Sequence, residues 1–287
     1  MTTRPQTLQI FLPHGDPQGI RIAEITTRIV QVIEVPRSLL ADFLKMPESN
    51  QVALYFLFSE EEDGSDGRVY IGQTGDLHMR LPDHNKKKEF WERALVLISR
   101  TKSLTQTHTL FLEWLCIQEA RKATRYSVEN GNSGSKPHTP PSLEADCYEI
   151  FETGHILIAT LGYPIFDSIS KKVEDAKPDE MFYCTGSGAN GRGLYTEEGF
   201  VVLQGSVGRK ENVPSIIGTA GERLRNRLIE TGAVRVEGDT VIFSKDHLFK
   251  SPSWAAMSLM GRNANGWVEW KNKDGKTLDA VKRQAVV

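Results

Sequence analysis

The sequence predicts an α/β protein of the α+β type, built from more than one domain. Three observations carry this. Short apolar or alternating runs bounded by Gly, Pro, Asn and Asp recur between Leu8 and Ser99, and again from Phe182 onward. Two longer segments, Thr105 to Tyr126 and Leu143 to Leu161, repeat their apolar residues at three and four. A charged, Pro-containing stretch at residues 170–181 separates the two sets and reads as an interdomain linker. The 287 residues suffice for one large or two ordinary domains.

Residues 1–48 read as a β-rich leader subdomain. Leu8–Leu12 and Ile20–Ile25 flank the turn-rich Pro13–Gly19 as a hairpin, a third strand lies near Ile29–Glu34, and Pro36 opens a short helix over Arg37–Leu44. Residues 49–169 form the next domain. Val52–Phe58 and Val69–Gly75 are two short strands joined by an acidic loop. Asp76 is the N-cap candidate for a helix over Leu77–His84, which Pro82 would shorten or kink. Asn85–Lys88 is a basic loop, and Trp91–Ser99 is a third strand. The two long helices follow, separated by a polar Gly- and Pro-rich loop over Ser127–Ser142.

Residues 182–287 begin afresh as a C-terminal α+β domain. Strands are expected at Phe182–Cys184, Gly199–Leu203, Val241–Phe243 and Trp267–Trp270, with a Gly-rich bend at Thr185–Gly193. Helices are expected at Ala220–Thr231 and Ser253–Met260, the second starting after Ser251-Pro252 and stopped by Gly261. The Gly-rich stretch lacks the Lys-Ser/Thr ending of a phosphate-binding P-loop.

A hydrophobic content of 39% with 25% charged residues suits a soluble chain. No apolar run approaches a membrane span, and no secretory h-region follows Met1, so no membrane partner is expected. Cys116, Cys147 and Cys184 are far apart and form no CxxC pair, which argues against a zinc knuckle or a disulfide framework and fits a cytoplasmic location. Net charge is −2, so affinity for nucleic acid would need local basic clusters.

The chemistry concentrates between Val52 and Glu113. Hydrolysis of a phosphodiester needs a water nucleophile, a proton acceptor and charge stabilisation at phosphate. Glu113 is the one acid among Leu110, Phe111, Leu112, Trp114 and Leu115, and a hard oxygen ligand suits Mg²⁺ (or Mn²⁺). The planar fork of Arg80 suits phosphate oxygens. Tyr55 and Tyr70 carry hydroxyls able to orient or deprotonate water, and His84, one helical turn beyond Arg80, could relay a proton. Each residue alone has an ordinary structural reading; their order and spacing make the case.

That order resembles the GIY-YIG endonuclease family. Ala53-Leu54-Tyr55 stands for the first motif, with Ala and Leu where Gly and Ile are typical. Tyr70-Ile71-Gly72 is the second motif intact, and Arg80, His84 and Leu112-Glu113 follow at matching distances. Asn130 matches the family's structural Asn, with Asn132 as nearby competitor. The resemblance spans roughly Val52 to Asn130. It implies a small mixed sheet flanked by helices, single-metal hydrolysis of DNA with Glu113 on the metal, and a general-base role for one tyrosine without saying which. The altered first motif and modest basic charge sustain an alternative, an inactive module of the same fold that binds nucleic acid or a protein.

The tail is similar to a C-terminal domain of unknown function often found behind such nucleases, through Gly199–Ser206, Ser251–Ala256 and Asn265–Trp270. DNA-contact candidates are Lys86, Lys87 and Lys88 beside Arg80, and Arg223, Arg225 and Arg227 in the tail, with Trp254, Trp267 or Trp270 as base-stacking candidates. Oligomeric state is not legible in the sequence.

Overall fold

The computed structural model describes residues 5–59, 67–131, 134–169, 177, 180–186 and 188–284. The chain forms two compact units that divide after Asp167, each with its own core, and the fold is α+β. Most of the linker expected at 170–181 lies outside the described residues, as do Asn132 and Ser187.

The first unit runs β1 (Leu8–Phe11), β2 (Arg21–Ile25), β3 (Val30–Pro36), α1 (Leu40–Phe43), β4 (Ala53–Phe58), β5 (Arg68–Thr74), α2 (Leu77–Lys87), β6 (Arg93–Ser99), α3 (Gln106–Ala123), β7 (Ser127–Val128) and α4 (Pro141–Thr160). Its strands make one mixed sheet in the order β1-β2-β3-β6-β4-β5-β7, with only the β5–β7 pair parallel among the described residues. The leader is therefore not a subdomain of its own. β3 pairs with β6 along its whole length, from Val30 opposite Ser99 to Pro36 opposite Arg93, and β6 pairs in turn with β4. The sequence conceals this because the partner strands lie some sixty residues apart.

Helices cover both faces, which explains why β4 is buried at every position. Leu54, Phe56 and Phe58 pack on the side of α3 and α4, with Phe111, Leu112, Leu115 and Ile150. Ala53, Tyr55 and Leu57 point the other way, into a core shared with Phe43, Leu77, Leu81 and Trp91. The buried Glu34 ties the centre together, paired with Arg21 and Arg93 and accepting from the Tyr163 hydroxyl at 3.1 Å.

Asp76 caps α2 as expected, accepting from the Met79 N–H at 3.2 Å. Pro82 does not end the helix, which runs on to Lys87; the basic loop expected at Asn85–Lys88 is instead its last turn and cap. Arg37 holds that turn by donating to the Asn85 side chain and carbonyl. The helix expected at Arg37–Leu44 splits into a 3₁₀ turn and the short α1.

The second unit runs β8 (Met181–Gly186), β9 (Ala189–Thr196), β10 (Gly199–Val202), β11 (Val207–Arg209), α5 (Ala220–Glu230), β12 (Val234–Glu237), β13 (Thr240–Phe243), β14 (His247–Phe249), α6 (Pro252–Met260), α7 (Gly266–Glu269) and α8 (Leu278–Lys282). The sheet order is β12-β13-β11-β9-β10-β14, with β8 paired to β9. Two expectations are corrected here. The Gly-rich segment is mostly strand: a Cβ at Gly191 would lie 2.3 Å from Leu259 Cδ1, and one at Gly193 2.3 Å from Phe200 Cε1. These glycines admit core side chains, not phosphate. Trp267–Trp270 is not a strand, because Asn265 caps a single helical turn by accepting from the Trp267 N–H. Among the described residues, no helix is long and apolar enough to cross a membrane.

Candidate active site

The candidate site forms beside β5, beyond its short pairing with β7. Tyr55 on β4 and Tyr70 on β5 lie on the α2 side, their ring centroids 6.4 Å apart. A Cβ at Gly72 would stand 2.4 Å from the Tyr55 hydroxyl, so Gly72 makes room for that tyrosine. From α2 come Arg80 and His84, four residues apart on one face. Arg80 Nε donates to Tyr55 Oη at 3.0 Å, and the Tyr70 hydroxyl also favours the charged guanidinium. His84 Nε2 lies 2.8 Å from Tyr55 Oη, and its ring centroid lies 5.1 Å from that of Tyr70.

The proton in this cluster can be placed. Burial, helped by the charges of Arg80 and Lys88, lowers the pKa of His84 to about 4. The imidazole is therefore neutral at pH 7. Tyr55 Oη already accepts from Arg80, and its own hydrogen needs a buried acceptor. His84 Nε2 supplies one, which leaves the imidazole hydrogen on Nδ1. Burial also pushes the Tyr55 phenol well above its ordinary pKa, against the opposing hydrogen bond from Arg80.

Glu113 arrives from α3, on the opposite face, and completes a row of contacts along the β5 edge. The Gly67 and Val69 carbonyls accept from the Ser127 and Glu129 N–H groups. At Ile71 the Asn130 side chain replaces backbone, with Oδ1 accepting from the Ile71 N–H at 3.0 Å and Nδ2 donating to the Ile71 carbonyl at 2.7 Å. Arg121 fixes Asn130 in turn by donating to its carbonyl at 2.5 Å. Next along the strand, the Gln73 backbone acts on the Glu113 carboxylate and favours its charged form. Burial raises the Glu113 pKa, with the Gln73 backbone and the charge of Arg80 pulling the other way. The carboxylate makes no ion pair among the described residues.

These residues fit a hydrated divalent cation. Glu113 is a half-buried carboxylate without an ion-pair partner, next to a cluster open enough to leave Arg80 exposed. Among the described residues there is no group of three or more His, Cys, Asp or Glu able to hold a metal. One carboxylate with water completing the shell suits Mg²⁺, whereas an all-protein cage would need more ligands.

Of the cationic candidates, Lys88 sits over the Tyr70 ring with Nζ 4.1 Å from its centroid. Lys87 pairs with Asp83 at 2.8 Å, and Lys86 is exposed on the last turn of α2. In the second unit Arg223 is exposed and Arg227 partly so, but Arg225 is buried and is not a DNA contact. Its guanidinium donates to the carbonyls of Ser258, Arg209 and Lys210, and burial lowers its pKa to about 10. Trp270 is likewise core, its Nε1 donating to the Pro252 carbonyl at 3.0 Å. Trp267 is partly buried beneath Arg283, whose guanidinium carbon is 3.5 Å from the ring centroid. Sequence reading passed over Gln73, Arg121 and the stacking of Lys88, because all three act through the folded β5 edge and carry no local pattern.

Comparison with family models matches residues 182–282 to a domain of unknown function (DUF4357). No curated protein and no solved structure matches the chain.

Proposed function

We propose that the first unit is a Mg²⁺-dependent endonuclease that hydrolyses DNA phosphodiester bonds. The observation that supports this best is the convergence of Tyr55, Tyr70, Arg80, His84 and Glu113, from four separate elements, on one end of β5. A plain core does not require a saturated Arg–Tyr–His chain beside a carboxylate that lacks an ion pair.

Each residue has a role in this reading. Glu113 holds the cation, which when bound polarises the phosphate and stabilises the leaving oxygen. Arg80 grips the scissile phosphate, with Tyr55 Oη fixing the direction of its fork. Tyr55 is fully buried and its hydrogen is committed to His84, so it is a positioning residue. Tyr70 is only half-buried and shares Arg80, which makes its hydroxyl the one that meets the attacking water. Asn130 keeps β5 in place beneath Tyr70 and Glu113. Lys86, the exposed Arg223 and the partly exposed Arg227 of the second unit are the DNA-backbone contacts.

The test is cleavage of supercoiled plasmid by the purified protein with Mg²⁺, beside Glu113→Ala and an EDTA control. Nicking or linearisation is expected for the wild type and at least about a hundredfold less for both controls. Absence of cleavage on plasmid, single-stranded and branched DNA would favour a binding module of the same fold.

A further inference from the structure

Gln73 contributes two groups to the same corner. Its strand packs against α3, which carries Glu113, and its backbone favours the charged form of that carboxylate. Its side chain, by strand alternation, lies on the face where Val69 and Ile71 pack against the core that includes α3. The side-chain oxygen is buried and has no hydrogen-bond partner among the described residues. A buried amide oxygen without a partner is costly, so it calls for an occupant. Its position bordering Glu113, near the end of β5, limits what that occupant can be. An apolar group would leave the oxygen unpaired, and a second anion would be repelled by both oxygens. A hydrated cation satisfies both, because Glu113 can ligate it directly while the water around it donates outward.

We propose that Gln73 Oε1 is the second protein oxygen of the divalent-cation site, accepting a hydrogen bond from the hydration shell of the ion that Glu113 holds. This rests on the metal reading above and adds to it a residue in the shell beyond the carboxylate. Partners of this kind typically set metal affinity by about 10–100-fold.

The experiment is Mn²⁺ binding to the full-length protein, followed by the electron paramagnetic resonance of free Mn²⁺, with melting curves of the metal-free proteins. Gln73→Met removes the acceptor and nearly keeps the volume. It is expected to weaken Mn²⁺ binding about tenfold or more. The metal-free variant should melt no lower than wild type, since it loses an oxygen that had no partner. Glu113→Gln should abolish binding. Unchanged Mn²⁺ affinity in Gln73→Met alongside loss in Glu113→Gln would overturn this inference and leave the metal reading standing. A lower melting point, or failure to fold, for metal-free Gln73→Met would also overturn it, by showing that the fold itself uses the oxygen. Unchanged affinity in Glu113→Gln would remove the cation site altogether.

Discussion

At the scale of single residues, His84 ties the electrostatics of the site to measurable stability. Its pKa falls from 6.5 in the unfolded chain to about 4 in the fold. Between those values the unfolded state binds the extra proton, so stability rises with pH through this window and is lost as pH falls from 6.5 toward 4. The full effect is up to about 3 kcal/mol. Glu113 opposes it, since its raised pKa favours the fold as acid is added. Comparing wild type with His84→Gln separates the two: the variant is expected to lose less stability between pH 7 and pH 5, read as the shift in urea midpoint. An equal shift in both proteins would show that His84 is not held neutral. Sequence reading singled out Tyr55, Tyr70, Arg80, His84 and Glu113 by their order and spacing, and the fold brings the first four together. Gln73 was not singled out, because its surroundings arise from its place near the end of a strand edge that only the fold defines.

At the scale of elements, the β5 edge is the part most open to test. Asn130 supplies both bonds that backbone would otherwise make to Ile71. Asn130→Ala is expected to cost about 1–3 kcal/mol and to speed hydrogen exchange at the Ile71 amide more than elsewhere in β5. Unaltered protection at Ile71 would mean that the side chain does not hold the edge. The same edge shows where sequence reading ran out. The two-residue β7 is too short to leave a period, and the three-residue β11 and β14 are equally silent. Long elements were plain, as with the eighteen residues of α3 and the twenty of α4. At Trp267–Trp270, aromatic and β-branched residues suggested a strand, but the Asn265 cap prevailed over that propensity.

At the scale of the whole molecule, the two units carry separate cores, and the second buries a charged side chain. Arg225 satisfies three carbonyls from two segments. Arg225→Ala is expected to destabilise the second unit by about 2–3 kcal/mol while leaving the salt dependence of DNA binding unchanged; Arg223→Ala should do the reverse. A salt slope that moved with Arg225 instead would reassign it to the DNA surface. Fold class was readable from the rhythm of short strands and long helices, whereas the merging of the leader with the main sheet was not, since strand order leaves no trace in local pattern. That order has a consequence for how the chain is made. β1, β2 and β3 form a meander and β4 and β5 a hairpin, and in the sheet the two groups are joined only through β6, between β3 and β4. Until β6 is made, each group has an unfinished sheet edge, with Glu113 still to be synthesised. Completion of the sheet beneath the site therefore depends on a non-local pairing, the kind of contact whose loop-closure cost slows folding.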